Sequence, residues 1–232
     1  MKHTKKKGWL YLLSLALVGG VIIIIILLGS INPLSLFTSY PFHMPGIMGP
    51  NMMGTQNIIT IQGQPIPVQQ AIQMMRNIPS YAKVISHYNT IIFSSKDANI
   101  VALAVMPERA VNLTGMLLPS YSKGDVFVIY GLINPTLVIP KGTSVQFRVI
   151  NLDDDMYHNL AISSFSPPYP YMAMMSSIQY NEMMSFLPPI NEGLAHEYSY
   201  TLTLDQSGNL WYLCTYPGHA QDGMYGKIAV NS

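Results

Sequence analysis

The stretch LWYLCTYPGHAQDGMYGKIAV, residues 210–230, decides both the fold and the chemistry expected of this chain. It begins as a strand of aromatic and aliphatic residues that ends at Cys214, and a second strand opens at Gly226. His219 and Met224 follow Cys214 at intervals of five residues. A thiolate, an imidazole and a thioether on one loop suit copper, which has to be held in two oxidation states.

The glycines and proline of this loop let it turn tightly, so that its three donors can converge. A trigonal copper site also needs a second histidine from elsewhere in the chain. His158 is the best candidate, because it stands at the start of a predicted strand in YHNLAIS, after the turn-forming NLDDD. The pattern therefore predicts one type 1 copper ion, bound by His158, Cys214 and His219 with Met224 as a weak axial ligand.

Other kinds of cysteine site fit less well, and Cys214 is the only cysteine of the chain. A catalytic Cys–His pair would want a further orienting residue and an oxyanion hole, and would not need Met224. A structural zinc site usually has more than one cysteine. A dinuclear copper site needs two cysteines in the loop, and a multicopper oxidase needs His-x-His pairs, which this sequence lacks.

The remaining histidines are predicted to be solvated or structural: His3, His43, His87 and His196. The run Asp153, Asp154 and Asp155 resembles a calcium loop only superficially, because three adjacent acids cannot wrap an ion at alternate positions. These three aspartates are predicted to form a solvated turn.

Outside the metal loop, the domain is predicted to be all-β. Residues 65–78 have the apolar spacing of a short amphipathic helix, entered through Pro67. The segment TSVQFRVIN, residues 143–151, alternates apolar and polar side chains, which predicts a half-buried strand. Further strands, separated by turn signals, are predicted at 90–95, 100–106, 126–132, 136–140, 159–163, 198–204, 209–214 and 226–231. Many short strands of this kind favour a β-sandwich.

A membrane segment is predicted near the start of the chain. Residues 9–28 contain 20 residues without a charge, which is the length of a bilayer-spanning helix, and lysines precede them. We expect a cytoplasmic N-terminus (1–8), a transmembrane anchor (9–29), a Pro/Gly/Met-rich linker (30–57) and the β-sandwich domain (58–232) on the extracytoplasmic side. A cleaved signal peptide is the competing interpretation, and it too would export the domain.

The charge content is low and excludes some partners. Charged residues make up 10% of the chain, against about 25% in ordinary soluble proteins. No basic stripe with interleaved aromatic residues is present, so nucleic-acid binding is not expected. A surface with few carboxylates suits an acidic medium, which leads to the hypothesis of an acidophilic host; low charge for an unrelated reason is the alternative.

The domain resembles the rusticyanin and sulfocyanin branch of the cupredoxin family. The resemblance rests on NPTLVIPKGTSVQFRVIN (134–151), YHNLAIS (157–163), SPPYPYM (166–172) and the metal loop, and it extends over roughly residues 60–232. It implies a Greek-key cupredoxin β-sandwich with a short N-terminal helix and the four ligands named above. Asn159 follows the first histidine, as in most cupredoxins although not in rusticyanin, and we expect it to bond near Thr215 and tie its strand to the ligand loop.

The resemblance implies a blue-copper electron carrier and not an enzyme. Its partners would be an exported cytochrome or a terminal oxidase, met in small and transient contacts through the loop residue His219. Aromatic and methionine side chains are expected to keep water from the metal, with ordinary core packing as the alternative role: Tyr169, Tyr171, Met172, Met174, Met175, Phe186 and Tyr225. The alternative function is copper storage or delivery, supported by the methionines of the linker.

Overall fold

The structure, a computed structural model, describes residues 63–173 and 185–232. Within these ranges no helix is long and apolar enough to cross a bilayer. The predicted anchor and the Met-rich linker lie outside the described residues.

Twelve strands and two short α-helices build the described domain. In chain order the elements are β1 (Gln64–Pro67), α1 (Val68–Arg76), β2 (Ala82–Ile85), a 3-10 turn (Ser86–Tyr88), β3 (Thr90–Phe93), β4 (Asp97–Val105), α2 (Pro107–Thr114), β5 (Val126–Ile129), β6 (Leu132–Ile133), β7 (Thr136–Pro140), β8 (Thr143–Asn151), β9 (Ala161–Ser163), β10 (Leu194–Leu204), β11 (Gly208–Leu213) and β12 (Tyr225–Asn231).

The strands form two six-stranded sheets. One has the order β1-β10-β8-β4-β5-β6, and the other has the order β2-β3-β7-β12-β11-β9. Both sheets are mixed, because β4 pairs with β8 in parallel and β12 pairs with β7 in parallel, whereas most other pairs are antiparallel. Side chains from both sheets share one large buried cluster, so the domain is a β-sandwich as predicted.

Strand β8 shows how the sequence pattern produces the core. Val145, Phe147 and Val149 have no exposed surface and belong to the central cluster, whereas Gln146 between them is exposed. Successive side chains of a strand point to opposite faces, so the alternation in TSVQFRVIN places one face inside the sandwich. Strands β7 and β8 have the bounds that the sequence predicts.

The helices lie outside the sandwich and cover a second, smaller apolar cluster. Helix α1 begins after Pro67 and buries Ala71 and Met75 in that cluster, as the spacing predicts. Helix α2 was not predicted, although Pro107 at its first turn and Gly115 at its end, with φ of +68°, are typical helix boundaries. Strands β1 and β2, at the edges of the two sheets, were also missed.

Candidate metal centre

The predicted ligand loop joins β11 to β12 at one end of the sandwich. Cys214 follows the last residue of β11, and its backbone N–H donates to the carbonyl of Met224 at 3.1 Å. The N–H of Met224 donates in turn to the carbonyl of His219 at 2.9 Å. These bonds close the loop on itself, so the three predicted donors belong to one compact turn.

His158 reaches the loop from the segment between β8 and β9. It forms a short antiparallel bridge with Leu187, in which each backbone N–H donates to the other residue's carbonyl, at 3.2 and 2.7 Å. Its side chain is wholly buried. The bridge holds the imidazole beside Cys214, although 56 residues separate the two in sequence.

The donor atoms of His158, Cys214 and His219 converge on one point. The Cys214 Sγ lies 3.8 Å from the His158 Nδ1 and 3.6 Å from the His219 Nδ1, and the two nitrogens are 3.2 Å apart. Metal bonds of about 2.0–2.1 Å to nitrogen and about 2.3 Å to sulfur, spread around a single ion, separate the donors by roughly this much. The three residues therefore fit one metal ion in a trigonal His₂Cys arrangement, which is the arrangement typical of blue copper.

Met224 is joined to this triangle through its backbone, which bonds with both Cys214 and His219. Its side chain has no exposed surface and belongs to the same buried cluster as Cys214. A thioether in such a place can supply a weak axial contact to a soft metal ion. The structure thus brings all four predicted ligand residues to one end of the sandwich.

Asn159 and Thr215 tie the two ligand segments together. The Asn159 side-chain amide donates to the Thr215 Oγ1, and its Oδ1 accepts the Thr215 backbone N–H, both at 2.8 Å. Both residues are buried. This paired bond is the contact expected of Asn159, and it fixes the residue after His158 to the residue after Cys214.

Cys214 and His158 shift each other's pKa. Burial by itself raises the pKa of the Cys214 thiol, but hydrogen bonds with His158 and His219 outweigh it and lower the pKa from 9.0 to about 6. Burial likewise lowers the pKa of His158, but its bonds with Asp153 and Cys214 raise the pKa to about 9. These interactions favour the thiolate form of Cys214, which is the form that binds metal.

The predicted solvated turn at residues 153–155 is wrong for one of its three aspartates. Asp154 and Asp155 are exposed, but Asp153 has no exposed surface and its Oδ2 lies 3.3 Å from the Nε2 of His158. Asp153 is drawn inward because its Oδ1 accepts the backbone N–H groups of Asp155 and Met156, at 3.0 and 3.2 Å. A run of three adjacent aspartates does not show from sequence which of them is buried.

Asp125 was not singled out from the sequence either. Its Oδ2 lies 3.7 Å from the His158 Nε2 and 4.0 Å from the His219 Nε2, and its side chain is 16% exposed. Burial raises the pKa of Asp125, and the nearby histidines oppose that rise. Nothing local in the sequence marks this residue, since the fold alone brings it to the outer edges of both imidazoles.

The other histidines lie away from the centre, where they are described. His87 is exposed in the 3-10 turn, and His196 is half-buried in β10 opposite Asn151. His3 and His43 lie outside the described residues.

The predicted water-excluding side chains are only partly in place. Tyr169 is buried, but Tyr171 is 61% exposed and Met172 is 43% exposed. Met174 and Met175 lie outside the described residues. The carbonyl of Tyr171 accepts the backbone N–H of Gly218 at 2.8 Å, so the exposed ring stands next to the ligand loop instead of covering the metal from water.

Residues 133–231 match the family model described as copper binding proteins of the plastocyanin/azurin family. The chain is 32% identical over 142 residues to the rusticyanins of Acidithiobacillus ferrooxidans and Acidithiobacillus ferridurans. Each of these matches covers 61% of this chain and 67% of the relative.

Solved structures give the same result. The 1.27 Å structure of rusticyanin from Thiobacillus ferrooxidans superposes with a TM-score of 0.57 and 28% identity, over 72% of this chain and 96% of that one. A structure of reduced rusticyanin at 1.9 Å superposes equally well, over 72% of this chain and 99% of that one. The similarity therefore extends over both sheets and not over the metal loop alone.

Proposed function

The chain belongs to the rusticyanin family of copper-binding proteins, and from this premise we propose that it is a membrane-anchored electron carrier of a respiratory chain. The observation that carries the proposal is the triangle of Cys214 Sγ and the two Nδ1 atoms, with sides of 3.2 to 3.8 Å. Copper held by His158, Cys214 and His219 would supply a one-electron change between its +2 and +1 states. Rusticyanin has itself been solved in a reduced form.

The protein's own residues keep the ligand positions fixed while the charge changes. His158 is held by its backbone bridge to Leu187, and the Asn159–Thr215 pair locks the two ligand segments together. Because these bonds involve no metal, they would be kept in either oxidation state. Ligands that barely move require little reorganisation during electron transfer, which suits a carrier better than a storage protein.

His219 is the route by which an electron reaches the surface. Its side chain is 10% exposed, whereas His158 and Cys214 are wholly buried. Tyr216 packs 4.7 Å from the His219 ring, measured between centroids, and the exposed Tyr171 stands beside Gly218, the residue before His219. A small contact around a partly exposed histidine edge suits a transient redox encounter.

A charge at this surface should slow electron exchange without changing the copper site. We expect Tyr171→Lys to lower the self-exchange rate between oxidised and reduced copies about tenfold or more at low salt, because two such surfaces would then meet with like charges. The carbonyl that binds Gly218 belongs to the backbone and is retained. Line broadening of proton resonances in mixtures of the two redox states measures this rate.

Gln206→Lys is the matched control. It adds the same charge at an exposed turn before β11, at the opposite end of that strand from Cys214. Equal slowing in both variants would show that net charge, and not the His219 surface, controls the exchange, and the proposed electron route would then be wrong.

We propose the extracytoplasmic face of the cell membrane as the location and an exported cytochrome or terminal oxidase as the partner. The support for the anchor is the uncharged run at 9–28, which follows Lys2, Lys5, Lys6 and Lys7. The scarcity of charge in the chain supports an acidic medium. A carrier bound to that surface would reach its partners by diffusing along the membrane.

Fractionation of cells that express the whole chain tests the anchor. We expect the protein in the membrane pellet after an alkaline carbonate wash, and Leu17→Arg with Ile23→Arg should abolish that retention, since each arginine at the centre of a helix costs about 2.5–3.5 kcal/mol of insertion energy. A copper-binding fragment that is soluble and begins after residue 28 would instead identify a cleaved signal peptide and refute the anchor.

A further inference from the structure

The buried ligand His158 has a polar atom that the copper site does not use. Its Nδ1 faces the Cys214 sulfur and the Nδ1 of His219, so its Nε2 points away from the metal position. A neutral imidazole that binds a metal through Nδ1 carries its proton on Nε2. That N–H is wholly buried and needs an acceptor, because a buried donor without one is costly.

The Asp153 Oδ2 is the acceptor in reach. It lies 3.3 Å from the His158 Nε2, and both atoms are buried and have no hydrogen-bond partner in the described part of the chain. Asp125 is a poorer acceptor, since its Oδ2 is 3.7 Å away and its side chain is partly exposed. Two adjoining buried polar atoms without partners are placed to pair with each other when the ring carries its proton on Nε2.

The turn at residues 151–156 fixes the orientation of this carboxylate. The Asp153 Oδ1 accepts the backbone N–H groups of Asp155 and Met156, which leaves Oδ2 facing His158.

The backbone of Asp153 is held by a second set of bonds. The Asp153 N–H donates to the Asn151 Oδ1 at 2.9 Å, and the Asp153 carbonyl accepts the N–H of Ile190 at 2.8 Å. Asn151 itself donates to the carbonyls of Leu187 and Pro188, each at 3.0 Å. The backbone that bridges to His158 and the carboxylate that faces its ring are thus held by one bond network.

We propose that Asp153 is a positioning residue for the copper site, whose carboxylate orients His158 and stabilises the higher-charged state of the metal. The proposal rests on the copper-carrier function proposed above. Carboxylate partners of metal-bound histidines fix the ring and raise its basicity. A negative charge buried beside the ligand also favours Cu²⁺ over Cu⁺, so Asp153 lowers the reduction potential of the site.

Asp153→Asn tests the proposal in the copper-loaded full chain. Asparagine has the same size and can still accept the two backbone N–H groups through its oxygen, which leaves its amide nitrogen facing the His158 N–H. We expect the equilibrium constant for reduction by a fixed redox mediator to rise about 10- to 100-fold. For a one-electron couple, each tenfold change is a 59 mV increase in potential.

Asp154→Asn is the matched control, because it removes the same charge one residue away. The Asp154 side chain is 54% exposed and lies 3.9 Å from Arg109. We expect its potential to stay close to that of the wild type. An equal rise in both variants, or no rise in Asp153→Asn, would overturn the assigned role.

A measurement on the unmutated protein covers the case in which Asp153→Asn does not fold. In the reduced, diamagnetic copper form, the His158 Nε2–H proton should give a downfield resonance that exchanges slowly with solvent. Rapid exchange of this proton would refute the bond to Asp153. A protein that binds copper without a blue colour would instead refute the carrier function, so the two failures are distinguishable.

Discussion

Cys214→Ser should bind copper weakly and without the intense blue colour expected of the wild type. The chain has one cysteine, so no other thiolate can replace it. Colour of this kind arises from charge transfer between sulfur and Cu²⁺, and a serine hydroxyl cannot supply it. We expect the band to vanish entirely and the copper affinity to fall about 100-fold or more, because a soft thiolate is exchanged for a hard neutral oxygen.

Met224→Leu serves as the comparison for Cys214→Ser. Leucine keeps the volume of this buried position but removes the thioether, so a weak axial ligand is lost while the His₂Cys triangle remains. The variant should stay blue, with a changed potential. Titration with copper, followed by visible absorption, measures both variants. A Cys214→Ser protein that is still blue would refute the ligand assignment.

The Gly223→Ala variant should lose much more unfolding free energy than an alanine variant of another glycine with a similar positive φ. Gly223 has φ of +99°, and a Cβ there would lie 2.6 Å from the Ser122 Cα and 2.7 Å from the Tyr121 carbonyl oxygen. Neither backbone atom can move freely, since the Lys123 N–H donates to the carbonyl of Asp222 at 2.7 Å. We expect a loss of about 3 kcal/mol or more, from left-handed strain of about 1–2 kcal/mol and overpacking of about 1–3 kcal/mol.

Gly131→Ala separates these two contributions. Gly131 has φ of +80°, but a Cβ there would meet no atom within 4 Å. It should therefore cost only the strain of about 1–2 kcal/mol. Denaturant unfolding of the metal-free variants gives both values, and copper retention should fall only for Gly223→Ala, which displaces Met224. Equal losses of stability would mean that the segment 121–123 does not hold the ligand loop.

The ligand loop could be predicted from sequence because its donors are close along the chain. Cys214, His219 and Met224 fall within 11 residues between two recognisable strands, so spacing alone places them together. Strand β8 could be predicted equally well, because one of its faces is buried and its apolar and polar residues alternate regularly. The prediction of His158 depended on the lack of a better-placed histidine in the sequence and on the family resemblance.

What could not be predicted depends on contacts between distant segments. Asp125 comes from the segment before β5 and reaches both imidazoles only through the sandwich. Asp153 is buried by an Asx-type turn and by the position of His158, while Asp154 next to it stays in solvent. The amino-acid sequence alone does not distinguish these three carboxylates. Strand β1, with the sequence QPIP, was missed because two prolines disfavour a strand except at an edge, where β1 lies.

A reductive titration of the copper-loaded full chain, followed by visible absorption, tests the central claim most directly. The account predicts an intense blue band that one electron per copper abolishes and that returns in full on reoxidation, through repeated cycles. A colourless copper complex, or a band that persists when excess reductant is added, would contradict the assignment of this site as a one-electron carrier.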